Sequence, residues 1–207
     1  MNIIISPAKK MNVREDELDW ADLPCFLSKA EELKEYIRGL SRSEARALWQ
    51  CNETIAGLNY GRFQAMDLTG RLTPALLSYE GIQYQYMAPG VFETRHWDYV
   101  QQHLRILSGF YGILRPLDGI VPYRLEMQAK LKMGSTQDLY AFWGDRIYRE
   151  LAEGEDFLLN LASIEYSRAA EKYIDRKTRF VTCVFGELSD GKVKVKGTMA
   201  KMARGEM

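Results

Sequence analysis

Apolar and polar positions along this chain repeat with two periods, and the switches between them mark its elements. Asn2 to Ile5 sets three isoleucines in a row before Ser6-Pro7, the pattern of a short buried strand ended by a proline turn. Its carboxyl end presents Ser6, Lys9 and Lys10. Ser28 to Gly39 is built of helix formers with Leu33, Tyr36 and Ile37 on one stripe and a closing glycine, which predicts an amphipathic helix. Ser41 and Glu44 fit a capping box for a second helix over about 42–51, so the two helices meet at a tight corner. Asn52 to Phe63 continues in helical spacing through Ile55, Leu58 and Arg62, while Gly57 and Gly61 weaken it or allow close packing.

The stretch 67–74 is turn-rich, and Ile82 to Tyr86 suits a strand or a short helix equally. Trp97 to Leu107 predicts a helix with Val100, Leu104 and Leu107 inward. Ser108-Gly109 then breaks the chain, and Arg115-Pro116 closes the apolar stretch that begins at Phe110. Ser135 to Leu151 reads as one helix, capped by Ser135, with Leu139, Phe142, Trp143, Ile147 and Leu151 as an aromatic-rich core stripe. Phe157 to Leu161 predicts a buried strand and Ile164 to Tyr173 a helix. Arg179 to Glu187 and Gly191 to Lys196 predict two strands across a turn, with Lys192, Lys194 and Lys196 outward and Val193 and Val195 inward. Short strands mixed with longer helices, without repeat or linker, predict an α/β (mixed α+β) fold in a single compact domain over residues 1–207.

Composition narrows the partners. The 207 residues are 46% hydrophobic and 27% charged, and 28 basic side chains balance 28 acidic ones. No whole-protein field attracts nucleic acid, so an anion site must come from local clustering. Such clustering exists: residues 15–35 hold eight acids against two bases, and residues 167–204 hold ten bases against four acids. Cys25, Cys51 and Cys183 form no C-x-x-C pair, and the start MNIIISPAKKM resembles neither a leader nor a membrane span. The expected compartment is therefore the reducing cytoplasm, with no membrane partner. His96 and His103 are the only histidines and lack a third ligand at motif spacing, so neither a metal nor a cofactor is expected.

The common nucleotide-loop, nucleophile-elbow and zinc-helix signatures are absent, which disfavours hydrolysis by the common routes. Three polar clusters remain. Arg115 beside Pro116 and Arg124 beside Tyr123 offer planar donor forks suited to phosphate or carboxylate; Asp118 and Glu126 can orient them or neutralise them. Asn160, Ser163, Glu165 and Tyr166 follow the FLLNL strand, where layered folds place ligands, although Ser163 also suits a helix cap. Lys194, Lys196, Lys201 and Arg204 are spaced for phosphate contacts or for a solvated face.

The runs ISPAKKM (5–11), QQHLRILSGFYGILRPLDGIVPYRLEM (101–127), DLYAFWGD (138–145), NLASIEY (160–166) and AKMARG (200–205) resemble, in order, those of the bacterial peroxide stress resistance YaaA family. The resemblance implies a cytoplasmic protein that limits peroxide damage linked to intracellular iron. It also implies a mixed α/β fold with a helix-hairpin-helix element and a positively charged cleft, and binding of double-stranded DNA, including distorted forms. No established reaction comes with it. The family's motif cations correspond to Lys9, Arg105, Arg115, Arg124, Lys201 and Arg204. Its polar segment corresponds to Asn160, Ser163, Glu165 and Tyr166. The chain departs at Lys10-Met11, where the family usually has Thr-Leu, and is expected to be short at its carboxyl end relative to the family. Two functions follow as expectations. One is a DNA-binding stress protein; the other is an enzyme acting on a nucleotide, nucleobase or damaged nucleic-acid end through Lys9, Glu165 and Tyr166.

Overall fold

The computed structural model of the chain describes residues 1–14, 18–189 and 191–207. Strand β1 (Asn2–Ile5) is followed by helices α1 (Leu27–Arg38), α2 (Arg42–Trp49) and α3 (Glu53–Gln64). The Ser41 capping box forms at the start of α2, and the Asn52 side chain caps α3 by accepting from the Ile55 N–H at 2.9 Å. Helix α4 (Ile82–Met87) resolves the ambiguity of the Ile82 run in favour of a helix, and α5 (Thr94–His103) follows.

The predicted helix over Trp97 to Leu107 stops at His103. Strand β2 (Leu104–Ser108) takes over without a connecting loop, and β3 (Gly112–Leu114) pairs back onto it. Residues 104–108 give up helical spacing because Ile3, Ile4 and Ile5 pair with Leu104, Arg105 and Ile106 in parallel register. Leu104, Ile106, Leu107 and Ser108 are all buried. A strand covered on both faces shows a continuous apolar run, and periodicity does not separate that from a buried helix.

The predicted helix over Ser135 to Leu151 is two, α6 (Leu139–Trp143) and α7 (Arg146–Ala152). Asp138, not Ser135, caps the first, accepting from the Ala141 N–H at 2.8 Å. Gly144 breaks the run with a left-handed φ of 55°. The stripe from Leu139 to Leu151 is nonetheless buried as core.

Strand β4 (Phe157–Asn160), helix α8 (Ile164–Glu171) and strand β5 (Arg179–Thr182) follow. The predicted strand over Arg179 to Glu187 divides: β5 joins the sheet beside β4, whereas β6 (Glu187–Ser189) pairs only with β7 (Lys192–Lys194). Among the described residues no third strand joins that hairpin. Val193 and Val195, expected inward, are each 54% exposed. Helix α9 (Gly197–Glu206) ends the described chain and packs on α4.

The main sheet has the order β3-β2-β1-β4-β5, with β2, β1, β4 and β5 parallel. From β1 the chain travels toward β2, whereas β4 hands on to β5 on the other side. The sheet therefore switches direction between β1 and β4, and a crevice opens beyond the carboxyl ends of such a strand pair. One continuous core runs through both faces of this sheet, with Ile4, Ile5, Ile106 and Leu107 fully buried at its centre. Burying each such side chain contributes roughly 1.5–3 kcal/mol. Mixed α/β architecture in a single compact body is thus built around the crevice.

Candidate functional site: a cationic cleft at the switch point

Beyond the ends of β1 and β4 lies a cleft of about 420 Å³. Its floor is fixed by serines from the two strand ends: the Ser163 N–H donates to Ser6 Oγ at 2.8 Å, and Ser6 Oγ donates to Ser163 Oγ at 3.1 Å. Tyr84 Oη donates to the Ser6 carbonyl at 2.9 Å and ties α4 to the same point.

One wall is the irregular segment Tyr123-Arg124-Leu125-Glu126. Side chains rather than a strand ladder hold it, since Tyr123, Leu125 and Met127 are buried. Tyr123 Oη lies 2.7 Å from Tyr79 Oη and 2.6 Å from Ser108 Oγ. Gly109, expected only as a breaker, lets this segment approach: a Cβ there would stand 2.4 Å from the Leu125 carbonyl oxygen. Tyr111 and Tyr123 therefore serve as core.

Polar groups converge on the cleft from separate parts of the chain. Lys9 follows β1, Arg124 and Glu126 come from the wall, Ser163, Glu165 and Tyr166 from α8, and Lys201 and Arg204 from α9. Glu126 couples two of the cations: its Oε1 lies 2.8 Å from Arg124 Nη2, and its Oε2 lies 2.7 Å from Lys9 Nζ. Arg124 and Glu126 are mostly covered, whereas the Lys9 side chain is 64% exposed. Burial raises Glu165 above its ordinary carboxylate range and the nearby Glu126 charge adds to this, against the Gln128 N–H and Lys9. Burial, then the Glu165 charge, pushes the Tyr166 hydroxyl well up. Burial alone lowers Arg204.

Five buried side-chain polar atoms among the described residues lack a hydrogen-bond partner, and three of them belong to side chains that line this cleft: Arg124 Nε, Arg204 Nε and Gln83 Nε2. A fourth, Trp49 Nε1, belongs to an adjoining hollow of about 130 Å³ that shares Lys9 and Glu126 with the cleft. Buried donors without acceptors each cost about 1–3 kcal/mol. Their gathering at one place suits a ligand rich in acceptor oxygens.

The other sequence-derived residues lie elsewhere. Arg105 and Arg115 line a second pocket, of about 290 Å³, with Cys25, Asp118 and Glu150. The Arg105 guanidinium donates to the carbonyls of Gln101, Gln102 and Leu104 and so closes the end of α5. Arg115 stands 3.9 Å from Glu150. Asn160 is buried away from the cleft, donating to Thr182 Oγ1 at 3.1 Å and accepting from the Ala162 N–H at 2.8 Å. Lys194 ends β7 and is bonded to Ser189, and Lys196, at the N-cap of α9, is bonded to Glu187 of β6. Gln83 was not singled out by the sequence, because nothing in Ile82-Gln-Tyr-Gln-Tyr86 distinguishes it from Gln85 before α4 is placed. Among the described residues no three His, Cys, Asp or Glu side chains gather to hold a metal ion, and no helix is long and apolar enough to cross a membrane.

Comparison with known proteins attaches a family to this geometry. The profile described as peroxide stress protein YaaA matches residues 1–207. The chain belongs to the YaaA family. It is 58% identical to a UPF0246 protein of Desulfitobacterium hafniense over 207 residues, all of this chain and 82% of that protein. It is 54% identical to a UPF0246 protein of Lachnoclostridium phytofermentans and 51% identical to one of Agathobacter rectalis, over 81% and 83% of their lengths. The expected family is thereby shown, and with it a role in peroxide stress.

Proposed function

We propose that this YaaA-family chain acts in the bacterial cytoplasm as a DNA-binding protein of the peroxide-stress response, gripping phosphates from the cleft at the switch point. The observation that supports this reading is the convergence of Lys9, Arg124, Lys201 and Arg204 on one cleft, with the Arg124 and Arg204 Nε groups left unpaired. Arginine presents a donor fork matched to phosphate, and lysine adds a point charge. The α2–α3 pair, joined through Gln50 in a left-handed conformation, is the candidate helix-hairpin-helix element beside it. Occupying DNA would limit damage by peroxide and intracellular iron at the bound sites.

Titration of a labelled duplex tests the reading. Phosphate contacts release counterions, so affinity falls steeply with salt. Arg124→Ala or Lys201→Ala weakens binding across sequences; duplex binding that is absent or indifferent to salt overturns the reading.

A second reading, an enzyme acting on a nucleotide or nucleic-acid end, is favoured by one observation: Lys9, Glu165 and Tyr166 line the same cleft as the arginines. Mass spectrometry of a nucleotide and oligonucleotide panel after incubation would show a product, and an unchanged panel removes it.

A further inference from the structure

The cleft has the size of a small-molecule site. Pockets that enclose drug-sized ligands run from about 300 to 1,000 Å³, and this one measures about 420 Å³. A stacked duplex is too broad to enter a cleft of this size. A single nucleotide taken out of its stack fits, as it does in proteins that read extruded bases.

The lining also divides as a nucleotide divides. Pro7, Ala8, Ile82 and Leu125 supply apolar surface, which suits the faces of a base. Arg124, Lys201 and Arg204 gather cationic groups, which suit a phosphate. Gln83 is 6% exposed, lines the cleft and leaves its Nε2 donor without an acceptor. Side-chain amides are the groups that read the donor and acceptor edges of bases. Glu165, opposite in chemistry to the cations, adds a carboxyl group that can meet an exocyclic amine. Gln83, Arg124 and Arg204 each leave a donor without an acceptor in the lining of this one cleft.

We infer that the cleft is a pocket for one nucleoside monophosphate unit, with Gln83 and Glu165 facing the base and Arg124, Lys201 and Arg204 holding the phosphate. The unit is either a free nucleotide or an unpaired nucleotide carried by DNA. In its second form the inference rests on the DNA-binding reading above, with the pocket taking the one nucleotide that a distorted duplex exposes.

Calorimetry with deoxyadenosine 5′-monophosphate, deoxyadenosine and inorganic phosphate is set beside titration of two duplexes, one fully paired and one with a single unpaired nucleotide. The nucleotide should bind about ten-fold tighter than deoxyadenosine or phosphate alone, and the bulged duplex about ten-fold tighter than the paired one. Excess nucleotide should abolish the preference for the bulge. Gln83→Met keeps the side-chain volume, and Lys201→Gln alters an exposed side chain; each should reduce nucleotide affinity about five-fold or more with an unchanged melting temperature. Equal binding of both duplexes, unaffected by the nucleotide, overturns the pocket and leaves DNA binding standing. Nucleotide binding without affinity for either duplex upholds the pocket and removes the DNA reading. Neither kind of binding overturns both.

Discussion

Ser6 and Ser163, 157 positions apart in the chain, meet at the floor of the cleft, where the Ser163 N–H donates to Ser6 Oγ at 2.8 Å. This contact locks the end of β1 to the start of α8 at the point where the sheet changes direction. Ser6→Ala leaves that N–H without its acceptor. Chemical denaturation should show a loss of about 1–2 kcal/mol, and nucleotide or duplex affinity should fall with it. An unchanged midpoint would mean the two strand ends are fixed by other contacts.

Glu126 restrains the cations it pairs with. Glu126→Gln keeps an oxygen acceptor for Arg124 but removes the carboxylate charge shared with Lys9. Duplex affinity should rise several-fold and the salt dependence should steepen by about one to two phosphate contacts. A flat response would show that Lys9 and Arg124 do not face the bound phosphate.

Helix α9 brings Lys201 and Arg204 to the cleft only because Gly205 allows it to lie against α4. A Cβ at Gly205 would stand 2.2 Å from the Gln83 carbonyl oxygen. Gly205→Ala should cost about 1–3 kcal/mol and weaken cleft binding. Gly197→Ala, at the open end of the same helix where an added Cβ meets nothing within 4 Å, should be neutral to about 1 kcal/mol stabilising. Melting curves of the two variants separate a packing effect from helix propensity.

In the second pocket, burial pushes the Asp118 carboxyl up to about 7, against the hydrogen bond from the Arg115 N–H. The folded protein therefore keeps a proton that the unfolded chain releases near pH 4. Its stabilising contribution is complete below about pH 4 and is lost as pH rises through about 7. Asp118→Asn, neutral throughout and still able to accept from Arg115, should gain on the wild type by on the order of a few kcal/mol between those limits. Denaturation midpoints of both proteins that move in parallel from pH 4 to 8 would contradict this.

Local grammar was readable where a single residue decides the conformation. Ser41 and the isoleucines of β1 each declare an element that the fold contains. It failed where a long-range partner decides. Leu104 to Ser108 becomes a strand because Ile3 to Ile5 lie beside it, and Val193 and Val195 stay exposed at a hairpin that forms a two-stranded sheet of its own. The site divides the same way. Lys9, Glu165, Tyr166, Lys201 and Arg204 were identifiable as polar or charged residues in motifs, and the structure gathers them. Arg115 and Arg124 share one motif yet line different pockets, because β3 carries Arg115 toward Glu150 while the Tyr123 anchor turns Arg124 to the crevice. Gln83 has no signal in the sequence at all; it matters only as a buried donor left over after packing.

The cleft draws Lys9 from the start of the chain and Arg204 from its last described helix. During synthesis, a ribosome-bound chain that already has β1, β4 and α8 in hand still lacks Lys201 and Arg204. A site that needs Lys201 and Arg204 is therefore complete only once α9 has docked on α4.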